Sequence, residues 1–374
     1  MNKRIFFFLL FISVLVVFSL AGLDAKEPPF LKLAEAVFDV PSPTGYEESM
    51  VEFIQGILPS EGQTMRDNLG SLYWKRAKRD SRVAVCTPMD EVGYFVSGIN
   101  PQGYLRIDKA VYGSALIDSY HLGHPVKIWA EKGPIEGVLA LPSLHILSSE
   151  VRKTFQERPS LELAYVDIGV NSAEGAREKG AAFMDAVTPW REVTRLAGGK
   201  IAGHSLGLKL CISLVLAAAQ KLPAQRVSPN PVFVWMAQTK LSLRRSRPPS
   251  ALGAFRASEE LDARGVIIVD VFSCDAQDSA GITIGNGPVL VYAKDKGTGL
   301  VNKIQEWAGD KKLPLQAAPN HRSSVLLPFL SDREEVVGLF LPVKFSQTPS
   351  EVVDTRDAEA LDSLLSMLLK EGGL

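Results

Sequence analysis

Short apolar runs alternate with longer helical patterns along most of the chain. Runs rich in β-branched residues predict buried strands. They lie at 83–86, 161–166, 232–235, 266–269, 289–292 and 336–341. Residues 206–220 are apolar on nearly every side, which predicts a helix buried against a sheet. A last amphipathic helix begins near Thr355. This alternation predicts an α/β fold, with helices in outer layers around a central sheet.

One stretch interrupts this alternation. Residues 91–162 are rich in glycine and in short extended runs, with little helical periodicity. We interpret them as a small β-domain inserted into the α/β domain, which then comprises residues 28–90 and 163–374. The N-terminus is interpreted separately from both domains.

Residues 1–25 have the layout of a secretory signal peptide. Lys3 and Arg4 precede an uncharged apolar run at 5–20. We expect cleavage and export to the periplasm or the extracellular space. The alternative is an uncleaved segment in which residues 5–20 anchor the protein to a membrane.

Composition excludes some functional classes. The 374 residues are 46% hydrophobic and 22% charged, enough to bury a substantial core. Lys and Arg number 41 against 42 Asp and Glu, for a net charge of -1, which argues against a nucleic-acid partner. Cys86, Cys211 and Cys274 are widely spaced, so we predict no disulfide framework. The basic cluster at 240–250 is interpreted as a solvated loop in preference to an anion-binding patch.

A series of local motifs, in order, indicates one family. They are P-S-P-T-G-Y-E-E at 41–48, D-N-L-G-S-L at 67–72, M-D-E-V-G at 89–93, G-V-L-A-L-P-S-L-H at 137–145, Y-V-D-I-G at 165–169, V-D at 269–270, G-N-G-P at 285–288 and T-P-S-E-V-V-D at 348–354. The chain resembles the glutamyl-aminopeptidase or deblocking-aminopeptidase family, dinuclear metallopeptidases that form tetrahedral particles. The resemblance implies a three-layer α/β/α metallopeptidase-like domain with an inserted β-domain. It also implies peptides as ligands and assembly into a homo-oligomer.

The resemblance also assigns metal-ligand positions, and most of them have changed here. The family's first His ligand is replaced by Pro88 and its bridging Asp by Gly203. Lys240 stands at a Glu ligand position and Gln347 at the last His position. Asp270 is the only residue of the family's metal-ligand set that is retained. Like charges repel by several kcal/mol at ~4 Å even at an effective dielectric of ~20, so Lys240 would oppose a cation.

The general base is changed as well. Thr239 occupies the position of the family's catalytic Glu, while Asp90, which in the family orients the lost His, remains. We therefore interpret the chain as a non-catalytic homologue, a binding or assembly protein for which no cofactor is expected. The alternative is a divergent aminopeptidase with a relocated or mononuclear zinc or cobalt site. Co-assembly with an active relative is a third interpretation.

Other polar residues leave further alternatives open. Lys240 could replace the metal as counter-ion to Asp270 or Asp90, or could lie in an exposed loop. Cys86, His204, Asp270 and Cys274 have the ligand types of a tetrahedral metal site, although their spacing matches no zinc pattern and buried structural roles are preferred. Structural roles are also preferred for the remaining candidate histidines, which are His121, His124 and His145. A Ser-His-Asp arrangement is left open, although we expect no G-x-S-x-G elbow in the chain.

Overall fold

A computed structural model describes the chain in several segments. These are residues 29–76, 83–109, 120–143, 145–157, 161–190, 192–222, 230–243, 250–274, 281–330, 333 and 335–370. The predicted signal peptide and residues 244–249 of the basic cluster therefore lie outside the described residues. No helix in the described part of the chain is long and apolar enough to cross a bilayer.

Eight strands form a central, mostly parallel sheet. They are β1 (Gln63–Arg66), β2 (Leu72–Lys75), β3 (Val83–Pro88), β12 (Val232–Met236), β15 (Gly265–Ser273), β16 (Val289–Tyr292), β17 (Gln316–Pro319) and β18 (Glu335–Val343). Their order in the sheet is β1-β2-β12-β3-β15-β18-β16-β17, and β12, β3, β15 and β18 run parallel to one another. The central strands are buried on both faces, as their continuous apolar runs predict.

Helices cover both faces of this sheet. One face carries α1 (Pro29–Phe38), α2 (Glu48–Ile57), α5 (Leu206–Gln220), α7 (Thr298–Asp310) and α9 (Thr355–Lys370). The other carries α6 (Leu252–Glu260) and α8 (Leu327–Leu330). The three-layer α/β/α prediction is confirmed, and α5 coincides with the predicted buried helix.

Six strands close a small barrel beside this domain. They are β4 (Tyr94–Ile99), β5 (Leu105–Asp108), β6 (Pro125–Ala130), β7 (Gly133–Ala140), β8 (Tyr165–Asp167) and β9 (Ala186–Pro189). Two short helices belong to the same region, α3 (Ser149–Glu157) and α4 (Ala173–Glu178). The barrel strands extend to Pro189, whereas the sequence interpretation ended the β-domain at residue 162 and counted the predicted strand at 161–166, which overlaps β8, with the α/β domain. The division of the chain into domains remains a prediction.

A third, small sheet lies near the start of α5. It contains β10 (Thr194–Arg195), β11 (Lys200–Gly203) and β19 (Glu351–Asp354) in antiparallel order. A separate hairpin pairs β13 (Ser242–Leu243) with β14 (Ser250–Ala251). The three-stranded sheet positions the turn from β11 into α5, and α9 follows directly after β19.

Candidate active-site cleft

A cleft of about 520 Å³ opens where three parallel strands end. β3 ends at Pro88 beside Met236, the last residue of β12, and Asp270 lies near the carboxyl end of β15. Open α/β sheets bind ligands at this edge, so the topology alone marks the cleft as the candidate site.

Five of the residues singled out from the sequence line this cleft. They are Pro88, Thr239, Lys240, Asp270 and Gln347. Gly203 is not part of the described lining; a Cβ there would meet the Phe38 ring at 3.1 Å. The structure thus brings these side chains together, while their correspondence to former metal-ligand positions remains a prediction.

Asp90 fixes one wall of the cleft. Its Oδ1 accepts from the Thr239 backbone N–H at 2.9 Å and from the Thr239 hydroxyl at 2.5 Å. Its Oδ2 accepts from the Thr44 hydroxyl and from the Lys240 N–H, both at 2.9 Å. Asp90 is fully buried, so these four donors supply what water would otherwise supply. The carboxylate ties the turn after β12 to the end of β3.

The predicted counter-ion role of Lys240 takes a different form in the structure. Lys240 contacts Asp90 through its backbone and not through its ammonium. Among the described ion pairs within 4 Å, none joins Lys240 to Asp90 or Asp270. Its charge nevertheless acts on two carboxylates, because it lowers the pKa of both Asp270 and Glu351. Lys240 is partly exposed and lines the cleft.

Asp270 is a carboxylate with a perturbed pKa in the cleft. Burial raises the pKa of Asp270 to about 6, against the opposing effects of the Val271 N–H and the Lys240 charge. The negative charge of Asp90 adds to the increase. Asp270 is therefore mostly ionised at neutral pH. A carboxylate with such a pKa in a cleft is a candidate functional group.

Three cations and one imidazole line the same cleft as Asp270. Lys109, Lys240 and Arg322 bring positive charge to the cleft. His321 also lines it, and its ring lies 4.7 Å from the ring of Phe272, between centroids. Partial burial lowers the pKa of His321, which favours the neutral imidazole. The sequence analysis did not assign His321 a role, since the segment 321–326 carries no recognisable family motif.

Behind the cleft lies a buried polar network. Glu91 Oε1 accepts from the Ser42 N–H at 2.7 Å and lies 3.3 Å from Lys209 Nζ. Glu91 Oε2 lies 3.7 Å from His204 Nε2, which is 3.1 Å from the Ser205 hydroxyl. Each of these charged or ionisable side chains is at most 1% exposed. The sequence analysis assigned no role to Glu91, Lys209 or Ser205.

The remaining predicted candidates are dispersed. Cys86, Cys211 and Cys274 are buried free thiols, and burial raises the pKa of the first two. Within the described residues, no group of three or more His, Cys, Asp or Glu side chains is arranged to hold a metal ion. The set of Cys86, His204, Asp270 and Cys274 is therefore not such a group.

The other three histidines lie in the barrel region. His121 is buried, with Nδ1 2.5 Å from the Tyr94 hydroxyl, and burial lowers its pKa to about 3. The neutral His121 ring packs between the barrel and His204, whose ring centroid lies 5.5 Å away. His124 and His145 are exposed.

The residues at the family's ligand positions do not fit two divalent ions. Pro88 has no donor atom to offer, and Gly203 has no side chain. A catalytic zinc site normally has three protein ligands, whereas the described cleft offers Asp270 and His321.

One signal in the sequence was overlooked. Residues 203–207 read G-H-S-L-G, which matches the G-x-S-x-G pattern of a nucleophile elbow. The expectation that the chain has no such elbow was therefore wrong, because the segment was judged for a lost metal bridge and for His204 as a ligand. Its strand and helix context could have drawn attention to Ser205.

Comparisons with known proteins agree on one family. The family model described as M42 glutamyl aminopeptidase matches residues 70–364. A lysyl aminopeptidase of Pyrococcus furiosus is 25% identical over 353 residues, which cover 91% of this chain and 96% of that protein. The match confirms the family indicated by the sequence motifs.

Solved structures show the same fold. The TET1 peptidase of Pyrococcus horikoshii, which can assemble into a tetrahedron or a large octahedral shell, has a TM-score of 0.77 at 20% identity. That comparison covers 91% of this chain and 99% of the other. A TET aminopeptidase of a marine sediment thaumarchaeon has a TM-score of 0.75 at 20% identity, covering 92% and 99%.

Two expectations are corrected by these comparisons. The expectation that no cofactor is needed is wrong, because the matched family is one of metal-dependent aminopeptidases. The expectation of an exported or membrane-anchored protein is also wrong. The relatives are archaeal and bacterial aminopeptidases that align over nearly their whole length.

Proposed function

Because the chain belongs to the M42 glutamyl aminopeptidase family, we propose that it is a divergent metal-dependent aminopeptidase that removes N-terminal residues from peptides. The observation that carries the proposal is the cleft at the carboxyl ends of the parallel strands. The partly buried side chain of Asp270 lines this cleft, which has a volume of about 520 Å³. That volume suits a few residues of a peptide.

The metal in this proposal occupies a relocated or mononuclear site. Asp270 is its retained ligand, and His321 is the imidazole available in the same lining. When bound, a divalent ion supplies a Lewis acid for the peptide carbonyl. The two-ion arrangement of the family has no support from the residues present, so no step is assigned to it.

The cleft residues also explain how a peptide would be oriented. Lys109 and Arg322 would attract carbonyl or carboxylate oxygens of a bound peptide, while Asp270 holds the metal. Both oxygens of Asp90 already accept hydrogen bonds from Thr239, Lys240 and Thr44, so Asp90 is not expected to bind the peptide directly. It acts as a positioning residue for the cleft wall.

The proposal includes a homo-oligomer. Support comes from the similar fold of the TET1 peptidase, which assembles into closed shells. Light scattering coupled to size-exclusion chromatography tests this part. Co-expression with a tagged active relative tests the alternative of mixed particles.

Metal content and hydrolysis, measured on one sample, test the enzymatic proposal. The purified full chain is stripped with a chelator and dialysed against zinc, cobalt or manganese. Bound metal is counted by mass spectrometry, and a panel of aminoacyl p-nitroanilides is assayed. We expect about one ion per chain and hydrolysis of at least one substrate. Asp270→Asn should lose both, whereas the exposed control Asp262→Asn should lose neither.

One result would overturn the proposal. A folded protein that binds no metal and hydrolyses no peptide would favour the non-catalytic homologue, in which Thr239 and Lys240 replace the base and a ligand. The search would then turn to the peptides that the cleft binds. Metal binding without hydrolysis would also contradict the proposed activity.

A further inference from the structure

The segment Gly203–Gly207 forms a sharp turn from a strand into a helix. It reads G-H-S-L-G. β11 ends at Gly203 and α5 begins at Leu206, with Ser205 between them. In serine hydrolases this pattern places a nucleophilic serine on such a turn, and the strand and helix context is what gives the pattern meaning.

The backbone of the turn has the expected strain. Ser205 has φ 51° and ψ 25°, in the left-handed region that residues with a Cβ seldom occupy. A Cβ at Gly207 would lie 2.6 Å from Val343 Cγ2 and 2.8 Å from Val271 Cγ1. A Cβ at Gly203 would lie 3.1 Å from the carbonyl oxygen of Glu192. Both glycines therefore serve the close packing that holds Ser205 in place.

A base lies within hydrogen-bonding distance of this serine. The distance from His204 Nε2 to Ser205 Oγ is 3.1 Å, the contact expected between a nucleophile and its general base. Glu91 Oε2 lies 3.7 Å from the same nitrogen. A carboxylate at this place stabilises the imidazolium that forms when the serine loses its proton.

This arrangement differs from a standard catalytic triad in one respect. The carboxylate of Glu91 faces the ring nitrogen that also faces the serine, and not the opposite one. Lys209 fixes the other oxygen of Glu91, at 3.3 Å. The carboxylate therefore acts on the charge of His204 more than on its tautomer.

The turn also adjoins the cleft. Glu351 Oε2 accepts from the Gly207 N–H at 3.1 Å, and its Oε1 accepts from the Gln347 N–H at 2.8 Å. Gln347 lines the cleft, so Glu351 links the cleft wall to the helix start beside Ser205. Ser205 itself is 7% exposed and lies behind the residues that line the cleft.

We propose that Ser205 is the nucleophile of a second activity, acyl transfer from small carboxylic esters, with His204 as its general base. Ser205 Oγ bonds to the acyl carbon while the ester C–O bond breaks, and His204 Nε2 carries the serine proton to the departing alcohol. Water then bonds to the acyl carbon while His204 Nε2 takes a proton from it, and the bond to Ser205 Oγ breaks. His204 passes that proton to Ser205 Oγ, and the acid is released.

Covalent labelling tests the nucleophile directly. The full chain is treated with a chelator, reacted with a small fluorophosphonate and analysed by intact mass and peptide mapping. We expect one adduct per chain, on Ser205, and chelator-resistant hydrolysis of p-nitrophenyl acetate. The chelator separates this activity from the metal-dependent peptidase, so either proposal can fail alone.

Variants complete the test. Ser205→Ala should lose the adduct and the esterase activity. Ser205→Gly, in which glycine can adopt the left-handed backbone, should lose both as well. His204→Gln should slow labelling by about 10²- to 10⁴-fold, the usual contribution of a general base. The control Ser213→Ala, within the helix α5 that follows Ser205, should react like the wild type. A folded wild type without adduct, an adduct elsewhere, or full activity in Ser205→Gly would overturn the proposal.

Discussion

Lys209 Nζ and Glu91 Oε1 form a buried ion pair at 3.3 Å, at the junction of α5 with the segment that follows β3. The ammonium also donates to the carbonyl of Val40 at 2.7 Å and to the hydroxyl of Ser42 at 2.9 Å. Lys209 is 1% exposed and Glu91 is 0% exposed. The Lys209 ammonium thus contacts two other segments of the chain, and the pair joins three segments behind the cleft.

Removing the Lys209 charge should strongly destabilise the protein. Lys209→Met leaves Glu91 with an uncompensated buried charge, and we expect a loss of about 3–5 kcal/mol in the free energy of unfolding. Urea titration followed by circular dichroism measures it. Lys221→Met is the matched control, because its partner Asp362 forms a more exposed pair whose loss should cost under about 1 kcal/mol. Equal losses in the two variants would contradict the assignment.

The example of Lys209 shows what the sequence could predict here. The apolar run at 206–220 identified α5 correctly, because a buried helix is a local pattern. The role of Lys209 could not be inferred in this way. Its partner Glu91 is 118 positions away along the chain, and only the folded sheet brings them together.

Thr239 should contribute to stability through Asp90. Thr239→Val removes the hydroxyl that donates to Asp90 Oδ1 and keeps a similar shape. Hydrogen bonds to charged groups contribute about 1.5–3 kcal/mol, so we expect a loss in that range in urea unfolding. The exposed control Thr154→Val removes only a bond to its own helix and should change stability by less than about 0.5 kcal/mol. A Thr239 variant as stable as the control would show that Asp90 does not depend on this donor.

Lys240→Glu should increase affinity for divalent ions. The substitution removes a positive charge that acts on Asp270 and adds a carboxylate to the same cleft. Opposite charges about 4 Å apart attract by about 4 kcal/mol at an effective dielectric of ~20, so a gain of tenfold or more is expected. Isothermal titration with zinc and manganese measures it. Lys132→Glu, exposed and outside this lining, should leave affinity unchanged. No gain over that control would show that Lys240 does not oppose a cation here.

The cleft was only partly predictable. Family motifs identified Thr239, Lys240, Asp270 and Gln347, and the structure places all four in the lining. His321 was missed because the segment 321–326 carries no recognisable family motif, so only the folded chain shows that it lines the same cleft as Asp270. Ser205 was missed for another reason, since its motif was readable in the sequence but was taken to be absent.

Glu351 should make stability depend on pH. Burial raises the pKa of Glu351 to about 7, while N–H donation from Gln347 and Gly207 and the charge of Lys240 partly oppose this. The folded protein therefore holds a proton that the unfolded chain, with an ordinary pKa near 4.5, releases. Stability from this group is fully present below about pH 4.5 and is lost as pH rises to about 7. The difference corresponds to a loss on the order of 3 kcal/mol.

Urea unfolding of the wild type and Glu351→Gln at pH 5, 6, 7 and 8 measures this dependence. The variant cannot titrate at this position, so its stability should fall less between pH 5 and pH 7. It should keep some decline, because burial and the charge of Asp90 also raise the pKa of Glu47 to about 7. The exposed control Glu136→Gln should follow the wild-type profile. A Glu351→Gln profile parallel to that control would mean that the Glu351 carboxyl is ionised in the folded protein throughout this range.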